Sequence, residues 1–516
     1  MEREPNRLLQ QLIAEAGFSH KGLARRLNDL GAARGTPGLK YDHSSVLRWI
    51  GGQRPRDPVP GLLTEIFAMR LGRPVTTEDL GMPAVITPLD LGQEFTHTWQ
   101  EGVATVTALW RADVERRRFL IDSTFAIGAG SVGAVRWLTS PPEGRPSSGG
   151  ARRVGRADIA AIHEVTRSFG ELDNRFGSGR VRSSVIKYLD TAVSPLLKDG
   201  SYGDATGRQL AAAAAELTRL AGWMAYDMEQ HGLAQRYLIQ ALRLARGAGD
   251  QTLGGEILAG MAHQAIYMGQ PDHALDLARA AQLAARGAGV GTLLASAHVL
   301  EAHAHAVRGD SRSCGASLNQ AEHSFEVRKP ADEPSWLGYF DEAYLSAKFA
   351  HCFRDLGDGY RTVQHARRSL DMDSRFVRGR MFNLSLLSAG LLQCGELEQS
   401  CVVASRALSL AGELQSARSR SYAADLRRRL EPYKHEGAVG AGPGPPGQGA
   451  GGFSNRRGPG APRGPPGAAC AGLLQQLALR AHAIAAVRPS GSRWPSSRPG
   501  SPGCRRRRPR RRSTES

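Results

Sequence analysis

Across residues 6–430 apolar side chains recur every three or four positions, the period of one face of an α-helix. Leu8, Leu9, Leu12 and Ile13 mark such a stripe over residues 6–16. Ser19 is placed to cap a second helix running to Leu30, with Gly31 as its stop. Asp42 can cap a third, ending at Ile50 before Gly51 and Gly52, and Pro60 can open a fourth that reaches Leu71. Residues 6–81 therefore read as one compact helical domain. Helical patterning resumes around residues 95–117. Residues 139–155 (TSPPEGRPSSGGARRVG) are rich in Pro, Gly and Ser and read as an exposed linker. From Asp158 onward helix follows helix.

That later region repeats itself. Five segments, starting at Gly222, Ala262, Ala302, Ala350 and Ser388, share one skeleton of helix, Gly or polar turn, and second helix. Aligned, one position after the turn falls at Ala234, Ala274, Cys314, Thr362 and Ser400. Seven residues later come Ala241, Ala281, Ala321, Ser369 and Ala407. Small side chains are needed where two helices cross closely. Two such positions kept in register across five units predict a solenoid of helical hairpins. The pattern resembles tetratricopeptide repeats of lengthened period. Gly222, Gly269, Gly309, Gly357 and Gly395 fall on that family's small positions along with the alanines. The stretch from Lys329 and Pro330 to Trp336 departs from it.

Composition changes this picture mainly at the end of the chain. The formal charge is +18, but residues 437–516 hold 14 Arg, no Lys and one acid, so most of the excess sits there. The body is only mildly basic, and bulk charge is no argument for nucleic acid. The same 80 residues contain 16 Gly and 12 Pro, too little apolar surface to fold, so 435–516 is expected to be a disordered Gly/Pro/Arg-rich tail. Its vocabulary is what a GC-rich gene yields when read out of frame. The alternative is a basic arm, with Arg505 to Arg512 adding phosphate affinity. Six cysteines without C-x-x-C spacing, and no signal peptide at the start, point to free thiols in a reducing cytoplasm. No run of 18 uncharged apolar residues predicts a membrane span.

Two N-terminal stretches carry the functional signal. SHKGLARRLNDLG, from Ser19, puts Leu23, Ala24 and Leu27 on one face. YDHSSVLRWIGGQRPR, from Tyr41, buries Val46, Trp49 and Ile50 and leaves His43, Ser44, Ser45 and Arg48 toward solvent. A recognition helix presents that N-terminal half to base edges in the major groove. Arg48 can read guanine through two hydrogen bonds, while Ser44, Ser45, Gln53, Arg54 and Arg56 can hold phosphates. These stretches resemble the helix-turn-helix of the phage-repressor-like (XRE) family, whose pattern is met by Leu23, Ala24, Leu27, Trp49, Gly52 and, one residue early, Pro55. The family uses a short turn between its two helices. Here Ala32 to Tyr41 intervenes, as a wing or a loop. Over most of its length the chain resembles actinobacterial repeat-containing regulators of the NsdA type, through the Tyr41 stretch, RRRFL from Arg116, RWL from Arg136 and the repeats. That resemblance implies repression of sporulation and antibiotic production.

Other signals look chemical without supporting chemistry. Gly128, Gly130 and Gly133 spell G-x-G-x-x-G, but no βαβ pattern follows, and a tight helix contact explains the run better. His298, Glu301, His303 and His305 share a helix without metal-ligand spacing and read as partly exposed. Trp223, Tyr226 and Tyr237 read as core. His305, Tyr344, Phe353 and Arg354 are expected near the inner face of the array.

The chain is therefore expected to be all-α: a helix-turn-helix DNA-binding domain (1–81), a helical connecting region (82–138), a flexible linker (139–155), a tetratricopeptide-like repeat domain (156–434) and the tail. The leading reading is a cytoplasmic transcriptional regulator, not an enzyme, without cofactor or metal. It binds double-stranded DNA as a homodimer and a peptide or protein partner in the repeat groove. The rival reading is a regulatory scaffold that never touches DNA.

Overall fold

The computed structural model describes residues 5–33, 38–53, 55, 59–73, 75, 77, 79–82, 91–115, 125–139 and 146–433. They fall into two compact units divided between Asp90 and Leu91. The expected tail, 435–516, lies outside the described residues.

The first unit is helical: α1 (Arg7–Glu15), α2 (His20–Ala33), α3 (His43–Ile50) and α4 (Val59–Leu71). The Asn6 side chain caps α1 by accepting from the Leu9 N–H at 3.0 Å, and Ser19 caps α2 through the Gly22 N–H at 3.1 Å. Leu9, Leu23, Leu27, Val46, Trp49, Leu63 and Phe67 form one core. Gly31 does not stop α2, contrary to expectation. It is buried inside the helix without a left-handed φ, and a packed helix tolerates a glycine at a cost of only about 1 kcal/mol.

The second unit is built around helical hairpins. Five pairs follow one another: α10 (Asp204–Asp227) with α11 (His231–Ala248), α12 (Gln251–Tyr267) with α13 (Pro271–Ala288), α14 (Gly291–Val307) with α15 (Ser311–Glu326), α16 (Glu342–Asp355) with α17 (Gly359–Arg368), and α18 (Val377–Gln393) with α19 (Leu397–Glu413). α20 (Ala417–Leu430) packs on the last pair. All ten small positions read from the repeat have 0% exposure, as close helix crossing requires. Five residues before each first small position the chain turns with left-handed φ, at Glu229 (59°), Gly269, Gly309, Gly357 and Gly395. Glycine meets that requirement at no steric cost in four repeats. In the first, Glu229 adopts it while its carboxylate accepts hydrogen bonds from the Tyr267 and Ser421 hydroxyls.

The array begins with α7 (Arg156–Phe176), α8 (Ser178–Tyr188), a π-helical turn Leu189–Val193 and α9 (Ser194–Lys198). These lead into the first hairpin, and the start of the array also meets its end. The Gln415 N–H donates to the Phe176 carbonyl at 2.9 Å, and its carbonyl accepts from the Gly179 N–H at 2.8 Å. The helical series therefore curls far enough for its ends to touch.

Two expected boundaries change. Of the connecting region expected over 82–138, the described residues from Leu91 on belong to the second unit. Their two helices lie on the array: α5 (Trp99–Val114) packs on α8 and α11, and α6 (Ile127–Thr139) on α11 and α13. Buried polar side chains of α11 explain this. Arg236 donates to the Leu91 carbonyl at 2.6 Å, and Gln240 donates to the Gly92 and Glu94 carbonyls. Trp137 also seats against Gly254, where a Cβ would approach the ring to 2.1 Å. The linker expected over 139–155 is likewise structured in part. Ser148–Gly149 (β1) pairs antiparallel with Gly200–Tyr202 (β3), and Arg152–Arg153 (β2) pairs parallel with it. Backbone pairing with a distant strand overrides a loop-like composition.

Candidate functional site

In the first unit, α3 is set by its own sequence. The Asp42 carboxylate accepts from the Ser45 N–H at 2.9 Å and the Ser45 hydroxyl at 2.8 Å. Those two bonds hold the Asp42 carboxyl below the usual carboxylate range. Val46 and Trp49 point into the core, and Tyr41 meets Trp49 edge-on at 5.1 Å between ring centroids.

α3 is tied to α2 by one side chain. The Asn28 amide donates to the Tyr41 carbonyl and accepts from the Tyr41 N–H, both at 2.9 Å. This clamp joins α2 to the segment leading into α3 despite the long intervening stretch. The Asn6 N–H further bonds the Ile50 carbonyl at 2.7 Å, fixing the other end of α3 to α1.

His43, Ser44 and Arg48 are exposed on α3, and Gln53 is exposed just beyond it. Ser45 is not. Only 4% of its surface is accessible, because its hydroxyl bonds to Asp42 and accepts from Arg48 Nη2 at 3.1 Å. Its role is local: it completes the cap and steadies Arg48. Arg54 and Arg56 lie outside the described residues. Leu47, which sequence reading passed over, is 48% exposed on this helix. An aliphatic residue outside the periodic stripe was its one available signal.

In the second unit, the curled helices enclose a cavity of about 1070 Å³, bordered by elements from α7 to α20. Of the four residues expected near the inner face, only Tyr344 lines it. Phe353 stacks on His365, with ring centroids 5.3 Å apart. Arg354 pairs with Asp355 at 2.7 Å, and His305 lies 3.7 Å from Asp310. Trp223, expected in the core, is half-buried and lines the cavity, while Tyr226 and Tyr237 are core. Lys348 and Arg418 also line it. Neither was legible in the sequence, since a basic residue in a polar stretch of helix reads as solvated.

The other sequence signals resolve locally. The glycine run from Gly128 lies within α6. Gly130 lets that helix approach Met261 and His273, and Ser131 bonds His273 at 2.8 Å. His298, His303 and His305 are buried rather than partly exposed, because α14 is sandwiched between neighbouring helices. His303 bonds Asp355 at 2.9 Å. Among the described residues no group of three or more side chains is arranged to hold a metal ion.

A family model described as the SP15 N-terminal domain matches residues 9–83, a span within the first unit. No curated protein matches the chain. Among the described residues, no helix is long and apolar enough to cross a membrane.

Proposed function

We propose that the chain is a cytoplasmic transcriptional regulator that binds double-stranded DNA through α3 as a homodimer. The single observation that carries this reading is the division of α3 into two sides. Val46 and Trp49 anchor it in the core, while His43, Ser44, Leu47 and Arg48 face outward. A helix so presented has the side chains for the major groove: a guanidinium for guanine, an aliphatic group for the thymine methyl, and short polar groups for phosphates. Gln53 adds a polar group beyond its C-terminus. In this reading the repeat array takes a ligand, peptide or protein, and its occupancy alters DNA affinity. The resemblance to NsdA-type regulators supports repression of differentiation and antibiotic production as the output. No enzymatic activity is proposed.

The test is selection of genomic fragments by the purified full-length protein at moderate salt, repeated with Arg48→Ala. Enrichment of a defined sequence by the parent, reduced about 10- to 100-fold in the variant, is the expected result. Absence of any enriched sequence would leave the regulatory scaffold that never touches DNA.

A further inference from the structure

Arg418 is a buried cation with its hydrogen-bonding capacity unused. It is 4% exposed and borders the cavity inside the array. Its guanidinium carbon lies 4.4 Å from the Tyr226 ring centroid, 4.8 Å from Phe382, 5.3 Å from Tyr267 and 5.8 Å from Trp223. Among the described residues it forms no hydrogen bond and no ion pair, and its Nε has no acceptor. Aromatic faces offset part of the cost of burying a cation, yet they accept none of its five N–H donors in a planar fork.

The nearby carboxylates hold other partners, Glu256 through Oε1 alone, its Oε2 having none among the described residues. Asp227 accepts from Ser416 Oγ at 3.0 Å and pairs with Arg378 at 3.3 Å. Glu229 takes the Tyr267 and Ser421 hydroxyls. Glu256 takes the Tyr339 hydroxyl at 2.8 Å and faces Arg219 at 3.4 Å. Lys348 lies in the same wall, 93% buried, and its Nζ meets His263 Nδ1 at 2.9 Å and sits over the Tyr344 ring, 5.1 Å from its centroid. The lining as a whole carries seven carboxylates against five Lys and Arg side chains, so the unmatched charge is local to Arg418, while Trp223, Trp336 and Phe382 add flat apolar surface to the same cavity. Buried charge is retained where something pairs with it.

We propose that this cavity holds an organic acid of single negative charge, its carboxylate on the fork of Arg418 and its flat apolar body against Trp223 and Phe382. One permanent unmatched guanidinium suits one carboxylate, bound through two parallel N–H···O bonds. The volume suits a drug-sized molecule or a few residues of peptide. The carboxylate can therefore belong to a free small acid or to a peptide C-terminus. The proposal rests on the reading of the array as the ligand-binding part of a regulator, and it specifies what that ligand must be.

The test uses the full-length protein without DNA and two fluorescent probes of nearly the same body. One is 8-anilino-1-naphthalenesulfonate, singly negative; the other is N-phenyl-1-naphthylamine, neutral. The parent is expected to bind the anion at least about 10-fold more tightly than the neutral probe. Arg418→Met should erase that preference while changing the neutral probe's affinity by less than about 3-fold. A second measurement needs no variant. On the parent protein, 2-naphthoate should displace the anionic probe and 2-naphthamide should not. A hydrophobic hexapeptide with a free C-terminus, tried against its amide, then separates the peptide source from the free acid. Equal binding of both probes to the parent, or equal displacement by naphthoate and naphthamide, overturns the proposal. Because DNA is absent, a chain that prefers the anion but selects no promoter loses only the DNA reading.

Discussion

Arg378, at the start of α18, donates through Nη2 to Asp173 Oδ2 at 2.6 Å across 205 positions of sequence, linking the last hairpin to the first helix of the array. Both are buried, and the same guanidinium also reaches Asp227 at 3.3 Å and Ser178 at 3.2 Å. Burial and the adjacent Asp227 push the Asp173 carboxyl up, against the pull of Arg378. The bond is what the ends of an otherwise local, nearest-neighbour architecture use to recognise each other.

Removing Arg378 should therefore be costly, because two buried carboxylates lose their cation. Arg378→Met is expected to destabilise the second unit by about 3–5 kcal/mol, read from the midpoint of urea unfolding. Asp173→Asn combined with Arg378→Met should cost less than Arg378→Met alone. If the double variant is as unstable as the single one, charge pairing is not what joins the ends.

Asn28 should matter to DNA binding without touching DNA. Its amide makes two hydrogen bonds to the Tyr41 backbone, so Asn28→Ala should lower stability by about 1–3 kcal/mol. It should also weaken selection of genomic fragments, since α3 loses its tie to α2. Unchanged selection together with the expected loss of stability would mean that α3 is positioned by its core contacts alone.

Two residues of α3 only two positions apart should behave oppositely. Trp49 is 4% exposed, and Trp49→Ala should cost about 3–5 kcal/mol through the cavity it leaves. Leu47 is 48% exposed, and Leu47→Ala should shift stability by less than about 0.5 kcal/mol while altering which sequences are enriched. A thermal melt and the selection assay on each variant decide the matter. A stability loss at Leu47 comparable to that at Trp49 would contradict the outward assignment.

Ligand binding in the cavity should take up a proton. Burial, reinforced by the Arg418 charge, holds the Lys348 ammonium down to about 7. The titratable and charged groups around it are His263 and Glu256 from α12, His303 from α14, Arg418 from α20, and Tyr344, His351 and Cys352 on its own helix. At pH 8 Lys348 is mostly neutral. A bound carboxylate favours its charged form, so its pKa rises on binding and up to about one proton is absorbed. Affinity for 2-naphthoate should accordingly weaken as pH rises above 7. Calorimetry at pH 8 in buffers of different ionisation enthalpy measures the uptake, and Lys348→Met should remove it. A binding enthalpy independent of buffer would contradict the prediction.

Local periodicity determined most of the secondary structure. The hairpins of the array, the four N-terminal helices and the buried side of α3 were legible in spacing, because a helix face and a close helix crossing each impose their residue types within a few positions. The ten small residues at the crossings show this most clearly, since register alone selected them and every one is inaccessible. What lay beyond local spacing was decided by contacts between residues far apart. Ser45 turned inward because Asp42 captured its hydroxyl, and the segment from Leu91 joined the array because Arg236 and Gln240 bind its backbone. The ring of elements around the cavity, and the isolation of Arg418 within it, depend on how much each hairpin rotates relative to the one before. That small rotation per repeat leaves no mark on periodicity, yet summed over five hairpins it brings Asp173 to Arg378 and leaves a charged cavity between them.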